Sequence, residues 1–489
     1  MRNNFTPMLL ADFYKISHRE QYPEGTETIY STWTARTSRK EGINEVVAFG
    51  FQSFIKEYLI EYFNDNFFSK RKQEVINEYV RIIKNTLGKT DVDTNHIEDL
   101  YDLGYLPIRI KAVKEGTLVP IRVPMLTIEN TNPKFFWVTN FLETLMSCHL
   151  WQPTTSATIA YQYRMILDRY AKETNGDLSG VQFQGHDFSM RGMSGLESSM
   201  LSGAGHLLSF TGTDSIPAIH YLEQYYNANV ENELVGCSIP ATEHSVMCTY
   251  GREDEINAYK RLITEVYPSG FASIVSDTWD LWEVLDKIIK PLKNEILNRD
   301  GRIVVRPDSG DPVLIVCGNP DGKTEYERKG VVEILWDIFG GTITEKGYKQ
   351  LDTHIGCIYG DAITIERCEE ICKRLMNKGF ASTNMVYGIG SYTYQYNTRD
   401  TFGFALKSTY AKVNSVEKML FKDPVTDNGV KKSQRGRVVV TNNNGINFID
   451  GLNANEEQSF PNNLLELVFE DGTLIRNENL IEIRSRLLG

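Results

Sequence analysis

The run RPDSG at residues 306–310 places two charged side chains on either side of a proline and directly follows the apolar residues IVV. The cation of Arg306 suits a phosphate group, and the carboxylate of Asp308, beyond Pro307, suits the hydroxyls of a sugar. The segment therefore has the composition of a sugar-phosphate site. Arg-Pro-Asp also makes a stable ion-paired turn, so both interpretations stay open at this point.

Two glycine-bearing segments further along the chain have the composition of phosphate-binding turns. One contains Gly360 and Asp361, and the other is GIGS, which ends in Gly390 and Ser391. A glycine-rich tip that leads into a helix exposes backbone N–H groups, and these favour phosphate oxygens. Most short turns of this kind bind nothing, but two of them at successive strand ends, together with RPDSG, favour a phosphate site.

Four other residues of reactive or aromatic type stand in similar places along the chain. They are Phe188 in HDFSMRG, Asp214 in TGTD, His244 in PATEHS and Asp277 in VSD. Each also has an ordinary structural explanation, because phenylalanine usually packs in the core, aspartate often caps a helix, and a lone histidine often does either. None of the four decides the function by itself.

All of these candidates belong to a repeated pattern in the centre of the chain. A short apolar run ends in a polar tip, and a helical pattern such as residues 364–378 follows. Short apolar strands alternating with helices predict a parallel sheet covered on both faces. About seven such units predict an α/β fold with a (β/α) barrel-like core and with chemistry at the carboxyl ends of the strands. The tips are HDFSMRG (186–192), TGTD (211–214), CSIPATEHS (237–245), SIVSDTWD (273–280), IVVRPDSGDP (303–312), CIYGDA (357–362) and VYGIGSY (386–392).

The two ends of the chain have a different character. Helical patterns lie near residues 50–64 and 70–86, β-like segments follow them, and the chain after residue 400 is β-rich with frequent turn signals. We therefore predict that residues 1–150 and 401–489 pack together as a second, α+β domain. Residues 151–400 are predicted to form the barrel-like catalytic domain.

Composition argues against several classes of protein. A formal net charge of −12 over 489 residues gives no basic surplus for nucleic-acid binding. No run of about 18 apolar residues predicts a membrane span, and the first residues lack the apolar core of a signal peptide. The seven cysteines form no CxxC pair, and no histidine is near Cys368 and Cys372 in the sequence, so we predict reduced thiols in a cytoplasmic protein and no metal site there.

Taken together, these segments resemble the nicotinamide phosphoribosyltransferase family over nearly the whole chain. The number of matches in the same order excludes coincidence. The matching stretches include LLADFYKISHREQYP (9–23), YSTWTAR (30–36), LPIRIKAVKEGTLVP (106–120), HDFSMRG (186–192), FTGTD (210–214), SIPATEHS (238–245), VSDTWD (275–280), VVRPDSGDP (304–312), YGDAI (359–363) and TRD (398–400).

The resemblance implies a role for each candidate residue. The nicotinamide ring would lie between Phe188 and Tyr14, the latter from the partner subunit, and Asp214 would accept the carboxamide N–H. The residues implied at the ribose and its phosphate are Arg306, Pro307 and Asp308, supported by Asp277, with Gly360, Asp361, Gly390, Ser391 and Arg399. Those implied at the pyrophosphate are Arg191, Arg36, Lys407 and Lys422, and Ser238 is a further substrate contact.

The resemblance also implies the reaction, its metal ion and its co-substrate. Nicotinamide and phosphoribosyl pyrophosphate would give nicotinamide mononucleotide and pyrophosphate, for NAD salvage, in a homodimer with shared active sites. Mg²⁺ would be bound through the pyrophosphate and not by dedicated protein ligands, and ATP would phosphorylate His244 and improve turnover. The alternatives are a nicotinate phosphoribosyltransferase and a catalytically silent nucleotide-binding signalling protein.

The chain departs from the family pattern next to the second glycine-rich turn. It has Gly390-Ser391-Tyr392 where the family has three glycines. A backbone N–H can contact phosphate there only if the φ angle of Ser391 stays negative. Met190 also replaces an aromatic residue beside Arg191.

Overall fold

The computed structural model describes residues 4–88, 91–360, 362–422 and 434–489. The chain divides into two compact units. The terminal unit contains Met1–Thr158, Tyr221–Ala228 and Asn397–Gly489, and the central unit contains Ile159–His220 and Asn229–Tyr396. The changes of unit after residues 158 and 396 lie close to the predicted boundaries at 150 and 400, but residues 221–228 group with the terminal unit.

The strands in the described ranges are short, as is usual for globular proteins. They are β1 (Thr26–Thr34), β2 (Glu45–Val47), β3 (Ile108–Ala112), β4 (Leu118–Pro120), β5 (Pro124–Asn130), β6 (Gly185–Asp187), β7 (Gly212–Thr213), β8 (Ala272–Val275), β9 (Ile303–Arg306), β10 (Gly341–Ile343), β11 (Lys349–Leu351), β12 (Ile355–Tyr359), β13 (Met385–Ile389), β14 (Ala405–Val413), β15 (Val416–Met419), β16 (Arg437–Asn442), β17 (Ile446–Leu452), β18 (Glu466–Glu470) and β19 (Thr473–Leu474).

The helices include the predicted helical stretches near residues 50–64 and 70–86. They are α1 (Lys15–Gln21), α2 (Phe51–Phe54), α3 (Lys72–Thr86), α4 (Asn95–Leu103), α5 (Val138–Phe141), α6 (Glu143–Thr174), α7 (Leu196–His206), α8 (Ile216–Tyr226), α9 (His244–Tyr250), α10 (Glu255–Arg261), α11 (Leu281–Glu283), α12 (Lys293–Leu297), α13 (Pro312–Cys317), α14 (Glu325–Lys329), α15 (Val331–Phe339), α16 (Ile365–Asn377), α17 (Ser391–Tyr394), α18 (Ala454–Ser459) and α19 (Leu480–Leu488). Wider, π-type turns continue α2 over Ile55–Tyr62, α10 over Leu262–Val266 and α11 over Val284–Ile289. Among the described helices, none has both the length and the apolar character needed to cross a bilayer.

The central unit is built on a ring of parallel strands. Six of them form a sheet in the order β7-β6-β13-β12-β9-β8. The segment 237–242, which we call the closing segment, links the two edges of the sheet, because Cys237 pairs with Gly212 of β7 and Ala241 pairs with Ser273 of β8. Around the ring each member lies beside the next one in the sequence, and the last strand, β13, lies beside the first, β6. The predicted α/β fold with a barrel-like core is confirmed.

The apolar strands and amphipathic helices explain why this ring forms. Every residue of β8 and β12 is buried, as expected for strands covered on both faces. Helix α16 buries Cys368, Ile371, Cys372 and Leu375, which follow the spacing of one helical face. The aspartate and proline that end the run RPDSGDP begin α13, with Asp311 as a side-chain N-cap and Pro312 in the first turn.

The terminal unit contains an antiparallel sheet of seven strands in the order β15-β14-β1-β5-β3-β18-β19. Strand β3 alternates buried and half-buried residues, so one of its faces packs into the core. Trp33 of β1 is fully buried and stacks on Phe404, with ring centroids 5.5 Å apart. Strands from both ends of the chain therefore share one sheet and one core, since β1 pairs with β14 and β3 pairs with β18.

Candidate active site

The carboxyl ends of the ring strands bring the predicted site residues of the central unit to one rim. Parallel strands all end on the same side of the ring, and active sites of barrel folds lie on that side. Phe188 directly follows β6, Asp214 directly follows β7, Asp277 follows β8, and Arg306 is the last residue of β9. Because each of these residues stands at the end of a strand, the ring brings them together at one rim.

The first group at the rim is centred on Asp214. Its Oδ1 atom lies 2.9 Å from Nε2 of His186 and accepts a hydrogen bond of 2.6 Å from Oγ of Ser238. The ring of His186 lies 4.5 Å from the ring of Phe188, centroid to centroid. The arrangement combines an aromatic ring with a carboxylate acceptor, which suits a flat ring that carries an N–H donor.

Asp214 is held in its ionised form. Its half-burial acts to raise the pKa, but hydrogen bonds from His186 and Ser238, and then the charges of His186 and Arg306, outweigh this effect and hold the pKa below its ordinary value. The side chain of Asp214 is 47% exposed, whereas that of His186 is only 10% exposed. A carboxylate is thus presented to solvent from a fixed, buried support.

The second group at the rim joins His244 to the RPDSG run through Asp277. Nε2 of His244 lies 3.3 Å from Oδ1 of Asp277, whose other oxygen accepts a hydrogen bond of 3.0 Å from the backbone N–H of Asp308. The side chain of Asp277 is 6% exposed and that of His244 is 46% exposed. A buried carboxylate therefore positions both an accessible imidazole, at the start of α9, and the backbone that carries Asp308.

Arg306 and the first glycine turn lie next to this group. Arg306 donates a hydrogen bond of 2.6 Å to the carbonyl oxygen of Thr242 in the closing segment. A Cβ atom on Gly360 would lie 2.4 Å from Oδ1 of Asp308, and the N–H of Gly360 donates to the carbonyl of the buried Pro307 at 3.4 Å. A side chain at position 360 would therefore displace the carboxylate of Asp308 from this position. Asp361 lies outside the described residues.

The second glycine turn packs against the turn that carries Arg191. Ser391 begins α17 and is not among the described residues with positive φ, so the condition for a backbone contact in place of glycine is met. A Cβ atom on Gly192 would lie 2.0 Å from Oγ of Ser391, so the serine side chain packs against that backbone. Gly390 precedes the helix in an extended conformation, and Arg191 is exposed.

In the terminal unit, three predicted cations lie close together, and burial together with their charges lowers the pKa of two of them. Burial lowers the pKa of Lys407; Glu143 opposes that shift, whereas Arg36, Lys15 and Arg399 reinforce it. Burial also lowers the pKa of Arg36, and Arg399 adds to the effect. We call Arg36, Arg399 and Lys407 the cation cluster. Crowded positive charges are suited to a polyanion, which would relieve their repulsion.

Tyr14 and Arg399 line a cavity of about 250 Å³ in the terminal unit, together with Asp12, Glu143 and Trp151. Tyr14 is 56% exposed and makes an edge contact of 4.7 Å, centroid to centroid, with the ring of His18. Lys422 is exposed and lies just past β15. The structure thus groups Tyr14 with Arg399.

Sequence reasoning did not give His186 a role, although its position offered a signal. Residues i and i+2 of a strand point to the same face, so the placement of HDF at a strand end puts His186 and Phe188 on one side of the strand. Glu143 was also missed, and it is the acidic neighbour of both Lys15 and Lys407. Nothing in the local sequence connects residue 143 with residue 407.

The described residues contain no group of three or more histidine, cysteine, aspartate or glutamate side chains able to hold a metal ion. All seven cysteines are free thiols, and Cys317, Cys357, Cys368 and Cys372 are buried. Burial raises the pKa of the Cys317 thiol to about 12, which makes it a weak metal ligand and a weak nucleophile.

A ring of parallel strands that gathers carboxylates, a guanidinium group and glycine turns at one rim is typical of α/β-barrel enzymes with a phosphate site. Comparison with known proteins gives the family. The sequence model of the nicotinate phosphoribosyltransferase (NAPRTase) family matches residues 183–473, and that of the nicotinamide phosphoribosyltransferase N-terminal domain matches residues 6–110. The chain belongs to this family of phosphoribosyl-transferring enzymes, as the resemblance predicted.

Relatives and solved structures agree with this membership. The chain is 49% identical to a nicotinamide phosphoribosyltransferase of Acinetobacter baylyi, over 100% of this chain and 98% of that protein. It is 35% identical to one of Mycoplasma pneumoniae, over 88% of this chain and 94% of that protein. The fold is similar to the crystal structure of nicotinate-nucleotide pyrophosphorylase from Pyrococcus furiosus, with a TM-score of 0.56 and 15% identity over 98% of this chain and 93% of the other. It is also similar to human nicotinic acid phosphoribosyltransferase, with a TM-score of 0.51 and 14% identity over 98% and 93% of the two chains.

Proposed function

We propose that the protein transfers a phosphoribosyl group from phosphoribosyl pyrophosphate to nicotinamide, giving nicotinamide mononucleotide and pyrophosphate for NAD salvage. Two relatives with this name, which match along most or all of the chain, support the assignment. The observation that carries the choice of substrate is the ionised carboxylate of Asp214, fixed by His186 and Ser238 beside the ring of Phe188. It would accept the carboxamide N–H of nicotinamide.

The main alternative is a nicotinate phosphoribosyltransferase. Nicotinate would bring a second carboxylate towards Asp214, and two like charges at close range repel. The likeness to the human nicotinic acid enzyme is 14% in sequence and concerns the fold alone. A catalytically silent nucleotide-binding protein would have no need of the hydrogen-bonded set of His244, Asp277 and Asp308, so we favour the enzyme.

In this reaction the protein has to position the two substrates and to stabilise the charge that develops as the bond breaks. The bond from the anomeric carbon to the pyrophosphate oxygen breaks, positive charge develops on that carbon, and the neutral ring nitrogen of nicotinamide forms the new bond to it. Asp308 and Arg306, with Asp277 behind Asp308, would hold the ribose and its substituents. Fixed charges of this kind act without reorganising during the reaction.

The pyrophosphate end of the reaction would use the cation cluster of the terminal unit, Arg36, Arg399 and Lys407, together with Arg191 and Lys422. Gly360, Asp361, Gly390 and Ser391 would enclose the ribose 5′-phosphate. Mg²⁺ would accompany the pyrophosphate and neutralise the charge of this leaving group. Magnesium usually keeps waters and takes one or two carboxylates plus substrate phosphates, and Asp308 at the rim fits that donor set.

The proposal includes phosphorylation of His244 by ATP. The imidazole is half-exposed, and its Nε2 lies against Asp277. With the Nε2–H donating to that carboxylate, the lone pair on Nδ1 would attack the γ-phosphorus as ADP leaves. The negative charge of Asp277 would stabilise the positive charge that develops on the ring.

We also propose a cytoplasmic homodimer in which Tyr14 of one subunit completes the base site of the other. The exposed ring of Tyr14 and the seven free thiols support these two points. Co-expression of Tyr14→Ala chains with Asp308→Ala chains should restore activity in mixed dimers. Stable heterodimers without recovered activity would contradict shared sites.

The test of the function is a substrate panel of nicotinamide, nicotinate and quinolinate, each with phosphoribosyl pyrophosphate and Mg²⁺, with and without ATP. Of the three bases, only nicotinamide is expected to give pyrophosphate release. ATP should increase the catalytic efficiency of that reaction. His244→Ala should abolish ATP hydrolysis and the ATP effect, and Ser245→Ala serves as the neighbouring control. Equal use of nicotinamide and nicotinate would overturn the substrate assignment, and an undiminished acid-labile phosphate label in His244→Ala would overturn the role of His244.

A further inference from the structure

Three consecutive members of the ring place polar side chains against one another. His186 lies in β6, Asp214 follows β7, and Ser238 lies in the closing segment that pairs with β7. His186 and Ser238 both contact Oδ1 of Asp214, at 2.9 Å and 2.6 Å. The second oxygen, Oδ2, accepts no hydrogen bond from the described residues. One oxygen of the carboxylate is therefore held in place, on a side chain that is 47% exposed.

His186 is itself firmly placed. It pairs in register with Gly212 of β7, and a Cβ atom at position 212 would lie 2.8 Å from Nδ1 of its ring. Only glycine at position 212 leaves room for the imidazole. The same ring lies 4.5 Å from the ring of Phe188 at an angle of 38°. His186 thus touches both the aromatic ring and the carboxylate at this part of the rim.

We propose that His186 and Ser238 are positioning residues that fix Oδ1 of Asp214 and so aim Oδ2 at the carboxamide N–H of the substrate. This inference rests on the proposed function, because it concerns how the same site selects an amide. A carboxylate that both donors hold has already lost its rotational freedom before nicotinamide binds. The substrate then forms a charge-assisted hydrogen bond without first having to order its acceptor.

Asp214 would contribute to substrate choice in two ways, through its charge and through its orientation. The charge of Asp214 repels nicotinate, whereas the orientation of Asp214 captures nicotinamide. Loss of one donor removes orientation but leaves the carboxylate, its second donor and the nearby charge of Arg306 in place. Variants of His186 and Ser238 should therefore bind nicotinamide more weakly without accepting nicotinate.

The experiment compares variants that remove the hydrogen-bond donor to Asp214 at position 186 or 238 with variants that keep a donor there. His186→Leu and Ser238→Ala remove it, and His186→Gln and Ser238→Thr are the matched controls, because the glutamine Nε2 and the threonine hydroxyl can donate in the same direction. We expect the KM for nicotinamide to rise about tenfold or more in the first pair, with kcat and the KM for phosphoribosyl pyrophosphate nearly unchanged. The controls should recover most of the loss, and kcat/KM for nicotinate should stay at its low wild-type value.

Each result either supports or overturns the positioning role. A KM for nicotinamide unchanged in both donor-removing variants would overturn it while leaving the enzyme assignment intact. Gain of nicotinate activity in His186→Leu would also overturn it, since His186 would then act through charge. Loss of kcat without recovery in His186→Gln would indicate a merely structural role. Failure of the proposed function is distinguishable, because the wild-type protein itself would then show no preference for nicotinamide.

Discussion

Two carboxylates of this protein, one in each unit, accept similar numbers of hydrogen bonds, but their pKa values are shifted in opposite directions. Asp214 at the rim of the central unit contacts two side-chain donors and has a pKa below its ordinary value. Glu115 in the terminal unit accepts hydrogen bonds from the backbone of Gly50 and Gln52 and from the hydroxyl of Tyr226. Burial, and then the charge of Glu478, nevertheless raise the pKa of Glu115 to about 7.

The difference shows that the number of donors does not set the charge of a carboxylate. Asp214 keeps contact with water and lies near the cation Arg306, whereas Glu115 is 1% exposed and lies near a second carboxylate. Desolvation and like charge outweigh three hydrogen bonds in the second case. A site that must discriminate by charge therefore needs partial exposure, and a structural carboxylate can be buried because it can hold its proton.

The largest expected effect comes from removing the charge at the rim. Two like charges about 4 Å apart cost roughly 4 kcal/mol at an effective dielectric near 20, which corresponds to about a thousandfold preference. The lost amide hydrogen bond costs less, about 1.5–3 kcal/mol. Asp214→Asn should therefore narrow the gap between the two substrates mainly by improving kcat/KM for nicotinate. Steady-state kinetics with both substrates measure this, and a change confined to nicotinamide would contradict it.

The next effect concerns the buried carboxylate. The pKa of Glu115 is raised in the folded protein, so the folded state binds the extra proton between about pH 4.5 and about pH 7. The stability from this group is complete below the lower value and is lost as the pH rises through the upper one, by up to about 3 kcal/mol. Glu115→Gln should flatten this pH dependence in urea unfolding between pH 5 and pH 8. The exposed Glu45→Gln is the control, and an unchanged slope in Glu115→Gln would show that Glu115 does not carry the proton.

The smallest effect tests the cation cluster, where burial lowers the pKa of Lys407. The lysine loses its charge at a lower pH than an exposed lysine, so the KM for phosphoribosyl pyrophosphate should rise as the pH increases through that value. Lys407→Arg should keep the KM low to higher pH because arginine stays charged, and Lys407→Gln should raise it about tenfold at neutral pH. Lys412→Gln on the same strand, whose lysine pairs with Glu27 at 3.1 Å, is the matched control. Equal pH profiles for lysine and arginine at position 407 would contradict the prediction.

The sequence was sufficient to predict the ring and the position of the candidate residues at the ends of its strands, because both depend on local patterns. Apolar runs with tips such as RPDSG and TGTD mark where each strand ends, and parallel strands must end together. The closing segment was counted by its tip among the seven predicted units, but its role in joining the two edges of the sheet was not predicted. It makes only isolated bridges at Cys237 and Ala241, so it has no regular strand pattern to detect.

Contacts between residues distant in sequence were beyond prediction from the sequence. Glu115 depends on partners from residue 50 to residue 478, and no periodicity links them. The packing of Ser391 against Gly192 and the hydrogen bond between Ser238 and Asp214 likewise arise from the order of strands in the ring. The family resemblance supplied roles for Asp214 and Ser238, but only the coordinates connect them to His186.

The pairing of the first and last ring strands, β6 and β13, bears on whether the barrel can be treated as a separate module. A module whose entry and exit strands are neighbours can be spliced into a loop of another domain without separating the sequence ends at the splice. Residues 159–396 interrupt the terminal unit in this way, and only the short stretch 221–228 within them groups with the host. Because the first and last strands of the ring are neighbours, the barrel is a suitable place to attempt circular permutation.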